Sequence, residues 1–166
     1  MPQHRIRRFQ HADRLAMQAF ARDVPEHDLL FIGRDLRQPR VIAAWLEAIA
    51  DGWIDGLVAE DDGTLVGTAA LVRDPLSWSA HVGEVRLLVA PERRGTGVGR
   101  DLLQAVMQIA ATRNVEKLIV AMTADQATTR ALFETLGFVE EARLSGHVRD
   151  GSGQAHDLVV LAYRRV

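Results

Sequence analysis

Apolar positions along the chain fall into two rhythms. One alternates or runs over four to eight residues, as strands do, and the other recurs every three to four residues, as helices do. His4 to Phe9 reads as a first strand. Asp13 then stands at or just inside the start of a helix whose apolar face is Leu15, Ala16, Ala19 and Phe20. Val24 to Pro39 holds Pro25, Gly33 and Pro39 and reads as irregular. From Arg40 to Ala50, Val41, Ile42, Trp45, Leu46 and Ile49 keep a helical period that Gly52 ends. Gly56–Glu60 and Leu65–Val72 flank Asp61-Asp62-Gly63-Thr64, a hairpin signal. After an exposed loop from Arg73 to Ala80, Gly83–Val89 has strand chemistry and Pro91 stops it. Val98, Leu102, Leu103, Val106 and Ile109 return to the helical period. Lys117–Met122 is an apolar strand expected to be covered on both faces. Asp125 to Leu136 reads as a helix closed by Gly137. Phe138-Val139 starts another strand, and Leu144–Arg149 and Gln154–Tyr163 flank a second hairpin turn, Asp150-Gly151-Ser152-Gly153. The order β-α-α-β-β-β-α-β-α-β-β predicts one mixed α/β domain over residues 1–166.

Composition narrows the classes. A chain of 166 residues with 48% hydrophobic and 25% charged residues is that of an ordinary globular domain. The net charge of −2, with no long basic run, offers nothing to nucleic acid, and Arg7-Arg8 and Arg164-Arg165 read as solvated chain ends. No apolar run approaches the length of a membrane span, and the first residues lack the apolar core of a signal peptide. Cysteine is absent, which excludes disulfides, thiolate metal sites and a cysteine acyl-enzyme, and is compatible with the expected cytoplasmic compartment.

The stretch from His81 to Met107 carries the chemistry. It predicts strand, turn and helix, with Arg93-Arg94-Gly95-Thr96-Gly97-Val98-Gly99-Arg100 where the helix begins. The first N–H groups of a helix lack intrahelical partners and carry partial positive charge. Glycines let that backbone approach an anion closely, and two arginines stand beside it, so the pattern is a phosphate cradle. A Walker loop is excluded because Gly99 is followed by Arg100-Asp101 rather than Lys-Ser/Thr. A Rossmann fingerprint is one residue too long for Gly95-x-Gly97-x-Gly99. Leu87-Leu88-Val89-Ala90-Pro91 followed by Arg94-Gly95-Thr96-Gly97-Val98-Gly99 resembles motif A of the GNAT N-acetyltransferase superfamily, whose turn binds the pyrophosphate of acetyl-coenzyme A. Gln126 to Phe138 resembles its motif B, with Gln126 where Asn is usual and Phe133 where Tyr is usual.

The resemblance implies a single GNAT-like domain. It implies acetyl transfer from acetyl-coenzyme A to the primary amine of a small molecule or peptide, by direct attack in a ternary complex and without a metal. Arg94, Gly95, Thr96, Gly97, Val98 and Gly99 are expected at the pyrophosphate, Leu87, Leu88 and Val89 at pantetheine, and Gln126 and Phe133 at the cofactor's far end. Glu84 is the candidate base, against the alternative that it pairs with Arg86 two residues on. An arginine partner makes a carboxylate a poorer base. His81 is a second candidate base. His147 and His156 lie on opposite arms of the last hairpin and read as a cross-strand polar pair rather than metal ligands. Tyr163, the one tyrosine, reads as packing, and Phe133 leaves the family's frequent general acid missing. Trp45 and Trp53 are expected in the core or a pocket wall, and Trp78 at the acceptor site. Glu134 and Arg130 read as a solvated helical pair. A coenzyme-A-binding sensor without catalysis is the rival reading. The acceptor and a homodimeric state stay open.

Overall fold

The computed structural model describes residues 3–30 and 34–165; Gly33, one of the expected breakers, lies outside them. Seven strands form one sheet in the order β1-β2-β3-β4-β5-β7-β6. They are β1 Arg5–Arg8, β2 Ile54–Asp61, β3 Thr64–Val72, β4 Val82–Val89, β5 Lys117–Thr123, β6 Val139–Arg149 and β7 Ala155–Arg164. The helices are α1 Arg14–Asp23, α2 Glu26–Leu29, α3 Pro39–Ala50, α4 Val98–Thr112 and α5 Ala127–Thr135. Neighbouring strands run antiparallel except β4 and β5, which are parallel. This is the mixed α/β order that the periodicities predict, with one addition: a single helical turn, α2, in the stretch expected to be irregular.

Both faces of the sheet are covered because small residues let helices in. A Cβ on Gly67 of β3 would lie 2.9 Å from Leu102 and 3.1 Å from Val98 of α4. On the opposite face, a Cβ on Gly56 of β2 would lie 2.8 Å from Ile49 of α3. The core is continuous across both layers, from Met17, Phe20 and Ile42 through Val58, Leu71 and Val85 to Leu102, Val106, Met122 and Phe133. β5 departs from expectation. Leu118, Val120 and Met122 are buried while Lys117, Ile119 and Ala121 are half-buried, so only one face is fully covered.

Arg7 and Arg8 are not solvated ends. Arg7 donates to Asp13 at 2.8 Å and to Glu60 at 2.9 Å. Arg8 donates at 2.8 Å to buried Asp55, which also accepts from Arg113 at the end of α4. These pairs hold the edge strand β1 and the end of α4 to β2. At the other terminus Arg164 pairs with Glu141 at 3.3 Å and Arg165 donates to the Ala111 carbonyl. The first hairpin turns through Asp62 and Gly63, both with positive φ, 50° and 79°. β6 runs unbroken where the apolar pattern suggested two pieces, with register shifts between Glu140 and Ala142 and between Leu144 and Val148.

Candidate active site

The site is made where β4 and β5 part. Their parallel pairing covers only Val82–Glu84 against Lys117–Ile119. Beyond Glu84, β4 stays paired to β3 through Val89 while β5 stays paired to β7 through Thr123. The edge of β4 from Val85 to Val89 therefore faces a wedge, with backbone N–H and C=O groups free to pair with an extended ligand. A cavity of about 290 Å³ fills the wedge. Leu87, Leu88, Val89, Arg94, Gly95, Gly97 and Gly99 line it, together with Asp28, Arg100, Thr128, Thr129 and Leu132. Three consecutive residues of β4 line it together, so the cavity meets the strand's edge rather than one face.

The turn at the cavity's mouth is closed by Thr96 Oγ1, which donates to the Arg93 carbonyl at 2.5 Å. Gly95 and Gly97 have φ of +74° and +96°, with open space where a Cβ would sit. Gly99 is a glycine for a different reason. Already helical, it would set a Cβ 3.1 Å from Leu132 and 3.3 Å from Val89. The first backbone bond of α4 runs from Asp101 N to the Gly97 carbonyl, leaving the N–H groups ahead of it without helical acceptors. Val98 and Thr96 are not among the residues lining the cavity, and the Val98 side chain is fully buried.

Two expected contacts are corrected. Phe133 does not line the cavity. It is fully buried and packs edge-on against Phe138, ring centroids 5.0 Å apart, because the cavity-facing side of α5 carries Thr128, Thr129 and Leu132. Gln126 turns toward α2, where its Nε2 lies 3.4 Å from the His27 carbonyl and 3.5 Å from Asp28 Oδ1.

α2 is the element that the sequence pattern missed. Asp28 forms an ion pair with Arg94 inside the cavity. His27 Nε2 lies 2.9 Å from Asp125 and 3.3 Å from buried Thr123, and its ring stacks edge-on against His156. His156 in turn bonds Asp150 at 2.8 Å, and this contact, with the Ser152 hydroxyl, holds the Asp150 carboxyl far below the usual carboxylate range. Val148, not His147, faces His156 across the hairpin. Among the described residues no group of histidines and carboxylates is arranged to hold a metal. No signal short of the tertiary pairing itself could have found α2's contacts.

Glu84 lies at the point where β4 and β5 part, paired with Ile119 on one side and Val72 on the other. Arg86 Nε donates to its Oε1 at 3.3 Å, so the pairing weighed against its role as a base is present. His81 is exposed at the closed end of the wedge, its carbonyl accepting from Glu116 and Lys117. Tyr163 is also at that end, in register with Leu118 and packed on Phe138. Trp78 is fully exposed and walls nothing, whereas Trp45 and Trp53 line a second cavity beside Arg86. Arg130 and Glu134 pair at 2.7 Å, with Glu140 joining them.

Known proteins share this fold. The family model described as "Acetyltransferase (GNAT) family" matches residues 16–138. The chain is 34% identical over 96 residues to an IAA acetyltransferase of Azospirillum brasilense, 57% of this chain and 61% of that protein. The chain thus spans less than two thirds of the length of such curated relatives. The crystal structure of the Brucella melitensis ribosomal-protein-alanine N-acetyltransferase superposes with a TM-score of 0.84 at 31% identity, covering 97% of this chain and 99% of that one. An acetyltransferase from Salmonella typhimurium, determined with its cofactor acetyl-CoA, shares the fold at a TM-score of 0.81 and 22% identity, covering 97% and 93%. The wedge between β4 and β5, the glycine turn that opens α4 and a family match over most of the chain converge: this protein belongs to the GNAT acetyltransferase family.

Proposed function

We propose that residues 1–166 act as one N-acetyltransferase domain that moves the acetyl group of acetyl-coenzyme A to a primary amine in a direct ternary complex. The observation that carries this is the unpaired edge of β4 opening onto the glycine turn of α4. Leu87, Leu88 and Val89 offer an edge for the amide links of pantetheine. The N–H groups at the start of α4, with Arg94 and Arg100, offer positive charge to the pyrophosphate. Thr128, Thr129 and Leu132 supply the opposite wall in place of Phe133.

Acetyl-coenzyme A supplies an activated thioester. A backbone N–H of β4 polarises its carbonyl, which matters because charge develops on that oxygen during attack. Glu84, directly or through water, takes the proton that the amine loses as the carbon–nitrogen bond forms and the carbon–sulfur bond breaks. The thiolate leaves without a protein acid, since a thiol of pKa about 8.5 is a competent leaving group.

The pairing of Glu84 with Arg86 and the absence of a tyrosine at position 133 favour the rival reading, a coenzyme-A-binding module without catalysis. Calorimetry with coenzyme A and thiol release from acetyl-coenzyme A over a panel of amines separate the two. Binding with amine-dependent thiol release is expected; binding without release from any amine supports the sensor, and no binding removes both.

A further inference from the structure

The second cavity, about 280 Å³, lies between α3 and the sheet, with Arg86 of β4 in its wall. Its walls include Leu36, Val41, Trp45 and Trp53, and its polar wall includes two arginines, Arg34 and Arg86, with no carboxylate among its lining residues. Guanidinium nitrogens are donors only, so a wall that carries two guanidinium groups and no carboxylate asks for an acceptor-rich group. Arg86 contacts Glu84 through Nε rather than through its two Nη groups.

Position ties this cavity to the reaction. Glu84, Arg86 and Leu88 share one face of β4 by alternation, and Leu88 also lines the wedge. A molecule anchored at Arg86 would thus lie beside the free edge of the strand and within two residues of Glu84.

We propose that this cavity is the acceptor site and that it selects a free amine bearing a carboxylate and an apolar side chain, of the α-amino acid class. The inference rests on the acetyl-transfer reading above. Its chemistry is complementarity: Arg34 and Arg86 hold the carboxylate, and Trp45, Trp53, Leu36 and Val41 hold the apolar body. The same two charges repel polyamines and aminoglycosides, which carry several ammonium groups. The cavity volume lies just below the roughly 300–1,000 Å³ typical of small-molecule sites, which suits a single amino acid.

The test uses the full chain, acetyl-coenzyme A and leucine, leucinamide, spermidine and a peptide with a free N-terminus, read by thiol release. Leucine should exceed the other three in kcat/KM by at least tenfold. Arg34→Gln should raise the KM for leucine at least fivefold with kcat changed less than twofold, and should raise the KM for leucinamide by a smaller factor. Arg86→Lys should retain more of the leucine preference than Arg86→Gln. A second arm needs no turnover: leucine is titrated into Trp78→Phe protein while the fluorescence of Trp45 and Trp53 is followed. Saturable change with leucine but not spermidine supports the site even if no acetyl transfer is seen, in which case the transfer reading alone falls. Equal or faster acetylation of leucinamide, spermidine or the peptide overturns the acceptor proposal and leaves acetyl transfer standing. Absence of both leucine turnover and a leucine-induced fluorescence change also overturns it.

Discussion

Gly97 has φ of +96° with nothing within 4 Å of the place a Cβ would take, so its role is conformational rather than steric. A left-handed backbone costs about 1–2 kcal/mol for an L-residue, and more for a β-branched one. Gly97→Val should weaken coenzyme A binding at least tenfold, about 1.4 kcal/mol, by turning the first N–H groups of α4 away from the anion. Calorimetry with a folded variant checks this, and unchanged affinity would remove the turn as the cofactor site. Asp28 acts in the opposite sense, because its carboxylate occupies Arg94 and faces the same cavity. Asp28→Asn frees Arg94 and removes a negative charge beside the pyrophosphate. Affinity for coenzyme A should rise by up to about fivefold, the range of an exposed pair worth about 1 kcal/mol. Weaker binding would mean that Asp28 positions Arg94 rather than competes for it. Phe133→Tyr would put a hydroxyl into a fully buried site against Phe138. It should lower stability by about 1–3 kcal/mol without raising turnover, as urea melts and initial rates would show.

At the scale of elements, the site is shaped by how β4 and β5 separate. Pairing stops after Glu84, so the base candidate sits at the apex while Leu87–Val89 stay open to a ligand. The closed end holds Tyr163, in register with Leu118. Its ring packs on Phe138, and β5 lies between β7 and the free edge of β4. The profile of kcat/KM against pH should therefore rise on one limb and flatten, with no fall in the phenol range of about pH 10. Tyr163→Phe should leave that profile unchanged. A descending alkaline limb that Tyr163→Phe abolishes would make the tyrosine the acid.

For the whole molecule, two charge clusters join elements distant in sequence. Burial alone would raise the Asp55 carboxyl, but hydrogen bonds from Arg113 and Arg8 outweigh it and hold the group below the usual carboxylate range. Arg7 does the same for Asp13 against its burial. A depressed folded-state pKa contributes stability above the unfolded value of about 3.9, and that contribution is lost as the pH falls through the lower folded value. Asp55→Ala should cost about 2–3 kcal/mol at pH 7, tempered because both arginines are partly exposed. Urea denaturation should show the gap between wild type and variant narrowing below about pH 4. A gap that persists to pH 2 would mean that packing rather than charge holds Asp55.

The strands, the longer helices and the glycine-rich turn before α4 were legible in the sequence because they are local. Side-chain period fixes strand or helix, Pro91 ends a ladder, and Gly95 and Gly97 mark a backbone that other residues resist. The mixed α/β order and the family resemblance followed from those same stretches. The position of Phe133 was not legible, because motif spacing places a residue on a helix but not the helix's rotation against Phe138. Asp28 was hidden for a related reason: it meets Arg94 across 66 residues of chain, and no local pattern marks such a partner. The wedge itself is a matter of register between β4 and β5, decided by which partner each strand keeps, β3 for one and β7 for the other. Local order follows from the φ and ψ that each residue tolerates. The site follows from how all the elements pack at once, and only the tertiary structure decides that.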